Sequence, residues 1–258
     1  MKKYINSFKQ YRFLLMELVK KGIKLKYRRS YLGIVWTLIE PLLTMIVLTV
    51  VFGTLFGRKD PQFPVYILAG RLVYTFFSEG TKNAMKSIRA NAAMIKKVYV
   101  PKYLYPLSSC LYSFVIFLIS LIILVVTMLI MKVYPTVYLL QAIVPLVILF
   151  IMTLGVGMIL STLAVFFRDL EYLWNVLLML VMYASAIFYD PGKILKSNVG
   201  FLLKYNPLYC VIASFRNAVF GRPMSMKMIA YSGVISVMSL IVGIYLFYKN
   251  QDKYILHI

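Results

Sequence analysis

Acidic side chains are scarce here: eight Asp and Glu stand against 29 Lys and Arg, a formal charge of +21 over 258 residues. So few carboxylates, scattered along the chain, disfavour a paired general acid and base. Histidine occurs once, at His257 in the tail, and Cys110 and Cys210 are the two cysteines. The sequence therefore offers no cluster of His, Cys and carboxylate ligands able to hold a metal. The Gly-Lys pair Gly192–Lys193 does not belong to a phosphate-cradling loop, because the position that needs the loop's first glycine is Ile187. A chain without such groups is expected to do no chemistry of its own, so uphill work would draw on a partner. The first 30 residues also lack a compact apolar core with a small-residue cleavage site, so no cleavable signal peptide is expected.

Apolar residues, in contrast, make up 62% of the chain. A basic excess of this size can signal nucleic acid, but the apolar fraction argues against that partner. Several segments of ~20 apolar residues match the ~30 Å hydrocarbon core of a bilayer, with Trp, Tyr and Lys/Arg at their ends. The pattern predicts an all-α integral membrane protein with six transmembrane helices, at about 36–56, 65–81, 107–131, 139–167, 173–189 and 229–248. Residues 1–30 carry an apolar stripe at helical spacing, Tyr4, Phe8, Tyr11, Leu15 and Leu18, and predict an amphipathic interfacial helix. A helix in tight cytosolic contact is the other reading of that stripe. The segment 82–106 reads as a basic cytoplasmic loop. The segment 190–228 reads as two short helices interrupted at Asn206–Pro207, each too short to span, forming a re-entrant outer hairpin between helices 5 and 6.

The positive-inside rule orients the spans. Ten basic residues lie in the N-terminal region, six in the 82–103 loop and two in the tail, against Arg58, Lys59 and Lys132 in the opposite turns. Both termini are thus expected in the cytoplasm, although 190–228 places six basic residues on the outer side. Cys110 and Cys210 fall on opposite sides of this topology, so no disulfide is expected.

Four segments carry a family likeness: "KYRRSYLGIVWTLIEPLL" at 26–43, "IKKVYVPKYLYPL" at 95–107, "FFRDLEYL" at 166–173 and "YNPLYCVIASFR" at 205–216. In order and spacing they resemble the ABC-2 type permease family, and more narrowly its exporters of polysaccharide and polyol phosphate, such as lipid-linked O-antigen or teichoic acid. The resemblance implies a homodimer in a bacterial cytoplasmic membrane, two cytosolic ABC ATPase subunits that hold ATP and Mg, and a lipid-linked glycan as substrate. A permease for a smaller lipid or drug is the alternative. One departure is visible. Where the family reads Ser-Pro-Ile-Phe-Tyr, this chain has Ser185, Ala186, Ile187, Phe188 and Tyr189, which puts the expected kink in doubt.

The opening of the first span brings Lys24, Lys26, Arg28 and Arg29 against the anionic leaflet, where each contributes ~1 kcal/mol of attraction. Gly33 permits an elbow and Trp36 anchors the threshold. Glu40 lies one turn further, where a carboxylate is costly in hydrocarbon unless it snorkels, or faces protein, water or a partner. Between residues 84 and 98, Met85, Ile88, Ala92 and Ile95 form an apolar stripe among Lys82, Lys86, Arg89, Lys96 and Lys97. The resemblance implies that this element docks on the ATPase; a helix resting on headgroups has the same composition. Arg168, Asp169 and Glu171 form a polar turn whose carboxylates could pair with Arg168 or with the 82–103 loop. Coupling to the ATPase is thus assigned to Met85, Ile88, Arg89, Ile95, Lys96, Lys97, Arg168, Asp169 and Glu40. Aromatic walls for sugar rings are sought at Tyr74, Phe76, Phe77, Tyr112, Tyr183, Phe188 and Tyr189, though Tyr is enriched at membrane interfaces regardless. The resemblance implies an outer gate over the exit of the pathway, to which Asn206, Pro207 and Arg216 are assigned, with a surface hairpin as the competing reading.

Overall fold

The computed structural model describes residues 2–28, 30–55, 60–98, 100–195, 197–198 and 200–254, with side chains from Tyr11 onward except Lys193. The Tyr4 and Phe8 side chains, Arg29, Arg58, Lys59, Lys196 and His257 lie outside that description. Among the described residues the secondary structure is entirely helical: α1 (Lys2–Tyr27), α2 (Trp36–Leu55), α3 (Phe63–Ala90), α4 (Ala92–Lys97), α5 (Leu104–Ile130), α6 (Ile143–Phe166), α7 (Leu170–Tyr183), α8 (Pro191–Leu195), α9 (Gly200–Lys204), α10 (Pro207–Val219) and α11 (Met226–Asn250).

Four helical segments are long and apolar enough to cross a membrane: Gly33–Leu55, Leu104–Ile130, Val137–Phe166 and Met226–Lys253. The expected second span is part of a longer element. α3 runs unbroken through 28 residues, about 42 Å of helix. It continues past residue 81 into what the basic composition suggested was a loop. Charge does not stop a helix; the stop comes at Asn91, whose Nδ2 donates to the Ser87 carbonyl at 2.8 Å. The expected fifth span is shorter: α7 has 14 residues, about 21 Å, and ends at Tyr183 instead of reaching 189.

The core is built from α3, α5, α6 and α11. α6 and α11 approach until only glycine fits. A Cβ on Gly243 would lie 2.6 Å from the Gly155 carbonyl oxygen, and one on Gly155 would lie 2.5 Å from the Leu240 nitrogen. Such close approach recovers dispersion energy where lipid offers no hydrophobic drive between helices. At one end of the bundle, Leu15 of α1 packs with Ile88, Ile95, Leu104, Tyr105, Val165, Phe247 and Tyr254. The described part of the α1 stripe, Tyr11, Leu15 and Leu18, therefore rests on the protein itself, while Phe13 on its other side is exposed. This contact end gathers the end of α3, α4, the start of α5 and the ends of α6 and α11.

The opposite end carries α8, α9 and α10. The break at Asn206–Pro207 is present: Pro207 occupies the first turn of α10, and Asn206 Oδ1 accepts from the Leu208 N–H at 3.0 Å. The first half of the segment is two single-turn helices, not one helix. α10 is no surface hairpin, since ten of its 13 residues are buried within the chain.

Candidate functional site

Between α2, α3, α5 and α7 lies a cavity of about 500 Å³. Its α3 wall presents Arg71, Tyr74, Thr75, Ser78, Glu79 and Lys82, spacings of three and four that keep one helical face toward the space. Glu40 of α2 and Lys26 at the end of α1 complete a set of five charged side chains around it. Among the described residues, none of the five forms an ion pair with another chain carboxylate or cation. Charge within a membrane bundle is costly unless water, protein or a ligand reaches it. Glu40 thus faces this cavity and is exposed. Burial, and then the Glu40 and Glu79 carboxylates, push the Tyr27 phenol up to about 12.

The neutral wall is held by hydrogen bonds that fix the neighbouring helices. Tyr74 donates to the Leu178 carbonyl of α7 at 2.8 Å, Asn83 Nδ2 to Ser113 Oγ at 3.1 Å, and Ser120 Oγ to the Thr37 carbonyl at 3.1 Å. Phe76 also lines the space, packed on Phe117 with ring centroids 5.2 Å apart. Phe77 points elsewhere and packs on Trp174, whose Nε1 donates to Thr81 Oγ1 at 3.1 Å. Tyr112 lines a contiguous second cavity of about 410 Å³, which shares Lys26, Glu79 and Asn83 with the first. The Tyr112 ring also seats α1, since a Cβ on Gly22 would fall 2.6 Å from its Cδ1.

Tyr183, Phe188 and Tyr189 do not line the cavity; they form a cap at the α7 end. Phe188 stacks on Phe52 of α2, centroids 4.9 Å apart and planes within 5°, and Tyr183 meets Phe188 edge-on at 6.4 Å. Tyr189 donates to the Tyr183 carbonyl, and Tyr66 donates to the Tyr189 carbonyl at 3.0 Å. The bend that the missing proline put in doubt is there: α7 stops at Tyr183 and Ala186 adopts φ +48°. Arg216 holds it. Its Nε donates to the Tyr66 carbonyl at 3.0 Å, Nη1 to that of Ala186 at 2.9 Å and Nη2 to that of Ile187 at 3.0 Å. Its guanidinium also lies 3.5 Å from the Tyr66 ring centroid. Gly70 makes room for it: a Cβ there would sit 2.3 Å from Nη2. Asn206 Nδ2 adds bonds to the Ala184 carbonyl and Ser185 Oγ, at 2.8 and 3.0 Å.

At the other end, the expected docking stripe is packed inward. Met85 is 1% exposed, Ile88 0% and Ile95 8%. The stripe is covered by α1, α5 and α6, so it cannot also be the apolar face offered to a partner. What remains outside is mainly cationic, Lys86, Lys96 and Lys97, with Val98 an exposed apolar side chain beside them. Arg89 is half-buried and donates to Glu171 Oε1 at 2.6 Å, while Lys86 Nζ lies 3.3 Å from Oε2. Glu171 therefore pairs with the basic stretch of α3, one of the two partnerships its sequence allowed. Arg168 and Asp169 are exposed at the same turn. Arg71, Glu79, Lys82 and Lys26 escaped the sequence-based site assignment; the signal for Arg71 and Glu79 was charge inside an otherwise apolar segment. The cysteines are both buried and unpaired.

Comparison with known proteins matches this arrangement to one family. The profile described as "ABC-2 type transporter" matches residues 14–220. The chain is 29% identical over 243 residues to the O-antigen export system permease protein RfbA of Klebsiella pneumoniae, covering 93% of each chain. It is 28% identical over 217 residues to the protein of the same name from Myxococcus xanthus, covering 84% of this chain and 83% of the relative. It is 22% identical over 251 residues to the polysialic acid transport protein KpsM of Escherichia coli, covering 96% and 97%. With a profile spanning most of its length and a bundle of apolar helices around a charged cavity, this multi-pass membrane protein belongs to the ABC-2 type transporter family.

Proposed function

We propose that the chain is the membrane permease subunit of an ATP-driven exporter that moves a lipid-linked polysaccharide or teichoic-acid-like polymer across a bacterial cytoplasmic membrane. The observation that carries this reading is the cavity lined by five charged side chains of α1, α2 and α3, none of which forms an ion pair among the described residues, in a chain whose relatives are named for O-antigen and polysialic acid. In this reading α2, α3, α5, α6, α7 and α11 are six crossings with both termini in the cytoplasm. The contact at the α4 end is then cytoplasmic and α8–α10 lie outside as a re-entrant gate. Arg71, Glu79 and Lys82 are tolerated in the second crossing because they face the cavity and not lipid.

Two copies would build the path. α2 and α7 flank the cavity and expose Leu43, Val47, Val50, Leu173, Val176 and Leu180. Lipid or a second copy can cover them, and a wide polar route needs a second wall. ATP and Mg reside on two separate ATPase subunits, which engage the cationic surface of α4 and the Arg168–Asp169 turn; hydrolysis is theirs. A cavity of about 500 Å³ in one copy also suits a small ligand. A smaller lipid or drug is therefore the second reading.

The test is reconstitution with the cognate ATPase in liposomes carrying a fluorescent lipid-linked oligosaccharide. ATP-dependent movement of the glycan to the protected face is expected. Transport of a lipid without its glycan, and exclusion of the glycosylated form, would leave the second reading in place.

A further inference from the structure

Arg71 stands apart from the other charges of the cavity. Lys26, Lys82, Glu40 and Glu79 gather near the α1 end, two cations against two carboxylates, so the mouth is balanced. Arg71 lies eight residues before Glu79 on α3, about 12 Å deeper along the helix axis. Nothing of opposite sign accompanies it: among the described residues it makes no ion pair. Its guanidinium lies 5.7 Å from the centroid of the Tyr74 ring, and its Nη1 contacts Met182 Sδ at 3.4 Å, a weak acceptor. A guanidinium carries five N–H donors in a rigid fork suited to a carboxylate or phosphate. Among the described residues one donor is engaged, by a thioether, and Arg71 lines the cavity together with Tyr74, Leu178 and Met182. The deep end of the cavity is therefore positive, half-dry and unsatisfied.

We infer that Arg71 is a specificity-determining residue that binds an oxyanion, a carboxylate or a phosphate, borne by the transported glycolipid. The inference rests on the export reading. The oxyanion has two sources, acidic sugars along the glycan or the phosphate of its lipid carrier. An uncharged glycan with no phosphate would leave the guanidinium unpaired at a depth where that is costly.

The test uses the assembled transporter in nanodiscs and three probes: a galacturonate hexamer, farnesyl diphosphate and neutral maltohexaose, with affinities from calorimetric titration. The wild-type complex is expected to bind at least one anionic probe more tightly than maltohexaose, and Arg71→Gln to weaken that probe about tenfold to a hundredfold. Arg71→Lys should recover part of the loss, because it returns the charge without the fork. An unchanged thermal unfolding midpoint in Arg71→Gln shows that the fold is intact. Preference for the galacturonate hexamer assigns the oxyanion to the sugar, and preference for farnesyl diphosphate assigns it to the carrier. Arg71→Gln binding both anionic probes as tightly as wild type would overturn the inference while ATP-driven glycan movement, measured separately, upholds the export reading. Failure of that movement would overturn both.

Discussion

Arg89 Nη2 lies 2.6 Å from Glu171 Oε1, an ion pair that ties the last turn of α3 to the first turn of α7. Lys86 joins the same carboxylate at 3.3 Å. Both pair members are partly exposed, so the stabilisation is modest, about 1 kcal/mol. Its position matters more, because α7 flanks the cavity and α3 leads into α4. Glu171→Gln should lower ATP-driven transport several-fold while the complex still assembles. Exchanging the charges, Arg89→Glu with Glu171→Arg, should restore most of the loss. Transport assays on the two single variants and the exchange check this; a wild-type rate in Glu171→Gln would remove the pair from the transmission path.

The inward packing of Ile88 makes a different prediction from an apolar docking stripe. Ile88→Asp places a carboxylate in a fully buried cluster and should cost several kcal/mol, so the folded chain fails to accumulate. Lys96→Glu with Lys97→Glu changes only exposed positions and should leave folding intact while reducing co-purification with the ATPase. Yields from membranes separate the two effects. Wild-type accumulation of Ile88→Asp would contradict the packing of α3 on α1 and α5.

Arg216→Met removes a donor from the carbonyls of Tyr66, Ala186 and Ile187. The Tyr66 carbonyl lies within α3 and Tyr66 Oη still donates to the Ala186 carbonyl, so the Ile187 carbonyl bears most of the loss and about 1–3 kcal/mol is expected. Ala186→Pro, which would supply the proline that the family resemblance leads one to expect, should also destabilise this chain. Proline fixes φ near −65°, whereas Ala186 sits at +48°. Thermal unfolding in nanodiscs measures both, and an unchanged midpoint for Ala186→Pro would show that the bend has another geometry.

Stacked Phe52 and Phe188 bridge α2 to the segment after α7 at the capped end of the cavity. Phe188→Ala removes that contact and about 3 kcal/mol or more of burial. If the cap is the outer gate, liposomes bearing Phe188→Ala should leak a small ionic dye without ATP, and the wild type should hold it. An equally tight variant would separate the cap from gating.

The proposed six-crossing topology, with α10 and the start of α11 outside, predicts external labelling. In a chain with both Cys110 and Cys210 replaced by alanine, Arg222→Cys and Lys227→Cys should each react with an impermeant thiol reagent from outside. Reaction of Lys227→Cys from the cytoplasm alone would overturn the six-crossing topology.

Local signals wrote much of this bundle into the sequence. Hydropathy located α5, α6 and α11 within a few residues, because a bilayer-length apolar run has few other uses. The Asn206–Pro207 break was legible from one residue that caps a helix and one that opens it. Averaging over apolar windows hid Arg71 and Glu79, since two charges in a long apolar run alter the mean only a little. The basic character of residues 82–90 concealed the continuity of α3, because charge on one helical face costs little when that face borders a cavity. Periodicity showed that Met85 and Ile88 share an apolar face, but period alone cannot name what covers a face; α1, α5 and α6 were brought there by the fold. Arg216 read as part of a gate, and only the tertiary structure joined it to the carbonyls of Tyr66, Ala186 and Ile187, up to 150 residues away. Two of those carbonyls lie in the bend after α7 and the third in the first turn of α3. A bend leaves carbonyls that must be satisfied, and the donor that satisfies them is chosen by proximity in space, which sequence spacing does not encode.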